Sequence, residues 1–446
     1  MNAPTPDVLF IESYFNHLIQ HGIDYCIMRN AEEVEQGDAH DVDLVIRDTQ
    51  LKLAENILYN LAEQKNWNAH LQTGLSSDNY NIKCYNYYYI SEKENKIFIV
   101  HIDIFPVFAW KGYEILPNYI LLENINKKSI YHSMEPEVEA VCNLFVRLLY
   151  NGKVKDKYKP KISETFNGNK KRVVELMEYF LSLELANHIF EYAIKGEWDI
   201  IDNKCNQIRK CVRKKTKRKH FTYMKYLFSK ARKRPGIVVA FLGPDGTGKT
   251  TIFNGLSSVI GNTFSDTTIN YYHWRPGFIK SEKRLDADGN LINSVAPHTL
   301  SPHNKLISLG KLAFYTLDYI LGYWFKIYWQ AAQGHLVVFD RYYYDFYVDK
   351  LRYRLNVNDT VIKFFQLFIP QPDITFLLIG DAPIIHARKK EITEQEIRNQ
   401  LNTLTNYQSQ FKNSVIVNAN QSIPSVLHQV GVNILKWLNS RMKKRH

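Results

Sequence analysis

A chain of 446 residues, 45% hydrophobic and 13% aromatic, has the length for about two or three domains and too much apolar matter for a disordered chain. Its formal charge of +12 is uneven: 14 Lys or Arg and no acid lie between Asp202 and Asp245, which accounts for the whole excess and leaves the remainder slightly acidic. No run approaches the roughly 18 uninterrupted apolar residues of a membrane span. The N-terminal MNAPTPDVLFIESYF lacks the basic and apolar regions of a signal peptide. The five cysteines are odd in number and never spaced CxxC, so a cytoplasmic protein without disulfides or a structural zinc is expected.

In chain order, Leu9, Ile11, Tyr14, Phe15 and Leu18 mark an amphipathic helix. YCIMRN and HDVDLVI read as strands, LKLAENILYNLAEQ as a helix, and KCYNYYYI with KIFIVHIDIF as a strand pair around the polar turn SEKENK. After Pro136 the pattern turns helical, through EVEAVCNLFVRLLYNG and KRVVELMEYFLSLELANHIFEYAIKG. The first domain is therefore expected over 1–202, α+β in class with accessory helices, followed by a basic helical connector over 203–235. That connector reads either as a solvated link or as a patch for an anionic membrane surface or another polyanion, a nucleic acid or a glycan.

Side-chain alternation puts Asp41 and Asp43 on one face of their strand, and VHIDIF adds Asp103 on another. Three carboxylates converging from neighbouring strands suit metal ions and a nucleoside triphosphate. This arrangement resembles the nucleotidyltransferase superfold, and the resemblance implies that Asp41, Asp43 and Asp103 are metal ligands. The Gly-Ser turn of that superfold is missing; Arg29 and Asn30 stand where it would contact a triphosphate.

From Ile237 short apolar strands (IVVAFLG, HLVVFD, ITFLLIG, SVIVNA) alternate with helices, among them the long NKLISLGKLAFYTLDYILGYWFKIYWQAAQG. Such alternation implies an α/β domain over 236–446, a parallel sheet between layers of helices. Gly243-Pro244-Asp245-Gly246-Thr247-Gly248-Lys249-Thr250, followed by Thr251, satisfies GxxxxGK[ST] between an apolar strand and a helix. Its amides and Lys249 are expected to hold phosphates, and Thr250 a magnesium ion. The strand HLVVFD delivers Asp340 to the carboxyl edge of the sheet, for the metal, with Arg341 next for a phosphate. Arg388, with Lys389 and Lys390, is placed to close as a lid over a transferring phosphoryl group, and Arg275 of HWRPGF to bind an acceptor anion.

Together FLGPDGTGKTT, RPG, FDRY, PDITFLL and the basic lid segment resemble thymidylate kinase and its P-loop nucleoside-monophosphate kinase relatives. The resemblance implies ATP and Mg2+ as cofactors, Asp245 facing the acceptor, and Asp340 with Arg341 at the phosphate site. Leu242 replaces the family's glutamate, RPG lacks its acidic residue, and YYDFYVDK stands where the thymidine pocket is built. The expected reaction is phosphoryl transfer from MgATP to a small acceptor, either a dTMP-like nucleotide or a sugar or lipid-linked saccharide. Two other readings stay open: a nucleotide-binding regulatory or assembly protein without acceptor turnover, and an enzyme of nucleic-acid ends. A cytoplasmic location, with possible peripheral membrane contact through the basic segment, accompanies all three.

Overall fold

Alternating apolar positions in HDVDLVI and KIFIVHIDIF become two neighbouring strands whose faces are sorted by residue parity. The structure is a computed structural model and describes residues 4–38, 41–72, 83–91, 96–260, 263–264, 268–279, 301–411 and 413–443. The chain divides into two units, Met1–Arg232 with Met442–His446, and Lys233–Arg441.

In the first unit β1 (Tyr25–Ile27), β2 (Asp41–Ile46), β3 (Asn68–Gln72), β4 (Lys83–Ser91) and β5 (Lys96–Phe105) form one sheet in the order β1-β2-β5-β4-β3. β2 runs parallel to β5, with Asp43 beside Asp103 and Asp41 beside His101; the other neighbours are antiparallel. Val42, Leu44, Ile46, Ile102 and Ile104 share a core with Phe10 and Phe15 of the helix Pro6–Gln20 and Leu58 of the helix Leu51–Gln64. On the opposite parity, Val45 and Phe105 join the core of the helices that begin at Pro136. The expected turn SEKENK falls largely on 92–95, outside the described residues.

A hairpin not anticipated from the pattern, β6 (Phe108–Trp110) with β7 (Tyr113–Leu116), turns at Lys111 and Gly112. Both have positive φ, 48° and 87°, the backbone that tight hairpins demand.

The basic segment is no separate connector. It forms the helices Cys205–Lys215 and His220–Lys233, and the division between units falls at Arg232. Cys205, Ile208 and Val212 lie on one side of an otherwise basic helix and are buried in the first unit's core. Several cations are also tied down. Arg209 donates to the Leu149 carbonyl at 2.8 and 3.0 Å, Arg213 stacks on Trp110, and Lys219 pairs with Glu114.

The second unit holds β8 (Ile237–Leu242), β9 (Ile269–His273), β10 (Leu336–Asp340), β11 (Ile374–Ile379) and β12 (Ser414–Asn418), all parallel, in the order β12-β11-β8-β10-β9. β8 and β10 are wholly buried, which is why their sequences are continuous apolar runs rather than alternations. The long helix expected before β10 is present as Lys305–Gly322, a π-helical turn at Tyr323–Ile327, and Tyr328–Ala332. Among the described residues no helix is long and apolar enough to cross a membrane.

Candidate functional site

The loop leaving β8 enters the helix Lys249–Ile260 with its first residues at the carboxyl edge of the sheet, the place where open α/β sheets bind ligands. Gly246 and Gly248 hold φ of +92° and +89°, and a Cβ on Gly246 would lie 2.8 Å from the Ile385 carbonyl oxygen. Only glycine lets this backbone curl so tightly there. A cavity of about 710 Å³ opens over the loop. Asp245 to Ile252 line it, with Tyr271 and His273 from β9, Asp340 and Arg341 from the end of β10, Arg352, and Arg388 with Lys389. Segments more than a hundred residues apart thus meet over one phosphate-loop motif.

Charge dominates this cavity. The Asp245 carboxylate pairs with Arg341 Nη2 through Oδ1 and Arg352 Nη2 through Oδ2, each at 2.5 Å, and lies 3.9 Å from Lys249 Nζ. Burial would raise the Asp245 carboxyl, but Arg341, Lys249 and Arg352 outweigh it and hold it well below the usual carboxylate range. Arg341 also pairs with buried Asp345 at 3.2 Å, and Tyr353 donates to that same carboxylate at 2.7 Å. Asp349 orients Arg352 through Nε at 3.0 Å. Arg341 has a φ of 70°, a conformation costly for a residue with a Cβ and kept only where surrounding bonds over-determine it.

Lys249 donates to the carbonyls of Gly243 and Pro244 at 2.8 and 3.0 Å. Its burial, with the nearby Arg341 charge, pushes the ammonium down to about 8. Asp340 accepts from Tyr271 at 2.8 Å, and His273 Nδ1 lies 3.5 Å from the same oxygen, Oδ2. Burial works against ionisation of Asp340, but His273, Lys249, Arg341 and Tyr271 bring it down to about 2. Its other oxygen, Oδ1, is buried without a hydrogen-bond partner. An ionised, dry carboxylate oxygen in a phosphate cavity fits a divalent cation, and Thr250 also lines that cavity.

The expected residues divide clearly. Asp245 through Thr251, Asp340, Arg341 and Arg388 line the cavity together; Gly243 and Pro244 sit beneath the loop and supply the carbonyls that hold Lys249. Arg388 donates to the Ala419 carbonyl at 2.8 Å, and Lys389 pairs with Glu391. Lys390 is exposed and does not line the cavity. Arg275 needs correcting: it is not in the lining, because fully buried Asp318 binds it at 2.8 Å. Asp318 also accepts from the amides of Gly277 and Ile279 at 3.1 and 2.6 Å, so the pair shapes the RPG loop. Arg352, Tyr271, His273 and Asp345 were not singled out from sequence. The available signal was a set of charged residues, Asp345, Asp349 and Arg352, inside the aromatic run RYYYDFYVDKLRYR.

In the first unit Asp43 and Asp103 lie side by side on β2 and β5, while Asp41 is exposed. Arg29 Nε bonds Asp43 Oδ2, and His101 Nε2 lies 2.8 Å from Asp103 Oδ1. Among the described residues no three His, Cys, Asp or Glu side chains gather as a metal site. At the place of the expected carboxylate trio lie an Arg29–Asp43 pair and a His101–Asp103 pair, with Asp41 exposed. Substituting Arg29 by leucine should leave a buried carboxylate without its cation and cost about 3–5 kcal/mol. A thermal midpoint unchanged from the parent would contradict that.

The thymidylate kinase family model matches residues 241–430, a span within the second unit. Two solved structures are similar to the chain. The thymidylate kinase of Candida albicans is 20% identical over 46% of this chain and 93% of its own, with a TM-score of 0.33. That of Ehrlichia chaffeensis is 16% identical over 45% and 98%, with a TM-score of 0.30. No curated protein matches. With the family match lying over the P-loop, the parallel sheet and the Asp340–Arg341 pair, the C-terminal half of the chain is thymidylate kinase-like.

Proposed function

We propose that the second unit transfers the γ-phosphoryl group of ATP to a nucleoside monophosphate. The observation that supports this reading is one cavity that gathers the P-loop with Lys249 and the guanidiniums of Arg341 and Arg352, both paired to Asp245. An oxygen of the acceptor's phosphate attacks the γ-phosphorus, the bond from that phosphorus to the β–γ bridging oxygen breaks, and ADP leaves. Lys249 and the loop amides neutralise the donor phosphates, and Arg388 adds charge at the transferring group. Magnesium, when bound, is held by Thr250 and Asp340 and neutralises phosphate charge.

Asp245 keeps Arg341 and Arg352 paired in the free protein, and an incoming phosphate takes over those guanidiniums. Replacing Arg352 with alanine should therefore raise the acceptor KM about 10- to 100-fold while moving the KM for ATP little. An equal rise in both would place Arg352 outside the acceptor site.

The acceptor class is tested by ADP release over a panel of ribo- and deoxynucleoside monophosphates, with free sugars and lipid-linked saccharides alongside. Stimulation by a monophosphate, dTMP among them, supports the reading. If ATP binds and no acceptor raises ADP release above background, the second unit is a nucleotide-binding regulatory element instead.

A further inference from the structure

We infer that the helix His220–Lys233 is a membrane-interfacial element that seats on an anionic lipid surface. Its inner side is anchored by Tyr223, 8% exposed, which packs with Ala109. Gly112 makes that approach possible: a Cβ there would lie 3.2 Å from Tyr223 Cβ, and the Arg218 guanidinium stacks 4.8 Å above the tyrosine ring. A helix fixed on one side in this way presents the other outward.

What it presents is apolar and large. Phe221 is 84% exposed, Met224 61%, Phe228 71% and Leu227 39%. At 100° per residue, Phe221, Met224 and Phe228 fall within an arc of about 60°. Single exposed apolar residues need no explanation, but Phe221, Met224 and Phe228, gathered on the outer side of one helix, form a patch. Exposed Lys225 lies one turn after Phe221, and exposed Arg232 one turn after Phe228, on the same helix. Lys210, Lys214 and Lys217 are exposed in the stretch just before it.

An apolar strip flanked by cations matches the boundary between acyl chains and anionic headgroups. The exposed cations Lys210, Lys214, Lys217, Lys225 and Arg232, in a stretch without an acid, give the charge complementarity. A nucleic acid would use the same cations and could stack on Phe221 and Phe228, but the aliphatic Met224 between them suits acyl chains and not bases. The strip therefore favours lipid.

The test is cosedimentation of the full chain with phosphatidylcholine vesicles, with and without phosphatidylserine. The chain should pellet with the acidic vesicles and not the neutral ones, and rising salt should release it. Phe221→Ser with Phe228→Ser should weaken that binding about tenfold or more. Thermal midpoint and ADP release should stay at the parent values, because both rings are already exposed. Failure to bind acidic vesicles, or equal binding by the double variant, would overturn the proposal. So would preferential binding to a single-stranded oligonucleotide that the double variant retains.

Discussion

Replacing Lys249 with alanine is expected to lower kcat for ATP-dependent transfer by about 10²- to 10³-fold, the loss typical of one preorganised charge-stabilising donor. The ammonium is buried and is held by the Gly243 and Pro244 carbonyls. The same residue predicts a pH dependence. In the free protein its pKa is pushed down to about 8, first by burial and then by Arg341. Phosphate binding favours the charged form, so ATP affinity should be full below that value and fall as pH rises through it. Binding near pH 8 should also take up a proton, seen calorimetrically as an apparent enthalpy that changes with the ionisation enthalpy of the buffer. An affinity that is flat one unit either side of that pH would contradict the assignment.

Arg341→Ala is expected to cost about 3–5 kcal/mol of stability, because it strips a cation from the buried carboxylates of Asp345 and Asp245. For a unit of this size that is a fall in thermal midpoint of roughly 10 °C or more. Asp345 suffers most: burial already raises its carboxyl, with Arg341 the chief influence opposing the rise. Pairing Arg341→Ala with Asp345→Asn should recover part of the loss, since removing both charges costs less than orphaning one. Single and double variants that melt together with the parent would show that the ion pairs contribute nothing. Activity should vanish in both variants, because neither restores the guanidinium at the phosphate cavity.

Legibility followed the range over which each constraint acts. The P-loop was readable because its glycines, lysine and threonine answer to backbone demands within eight residues. The strand ending in Asp340 was readable because a continuous apolar run in a parallel sheet has one exit. Arg352 was not readable, since its partner Asp245 lies 107 residues away and only the fold brings them together. Arg275 misled for the same reason: Asp318, on a helix 43 residues later, claims the guanidinium that looked free for an anion. In the first unit, alternation put Asp41 and Asp43 on one face with Asp103 on a neighbouring strand; the parallel register of β2 and β5 sets Asp43 beside Asp103 and Asp41 beside His101. Alternation gave no sign that Arg29 would pair with Asp43, because Arg29 reaches it from the loop after β1. The basic run read as a connector because charge hid the three apolar positions, Cys205, Ile208 and Val212, that fasten it to the core.

The most direct test of the central claim is the fate of label from ATP carrying it in the γ-phosphate, incubated with magnesium and a nucleoside monophosphate and then resolved by chromatography. Transfer of the label to the nucleoside monophosphate, lost in Lys249→Ala, is the predicted result. Label released only as inorganic phosphate, or retained on ATP with every acceptor tried, would contradict it.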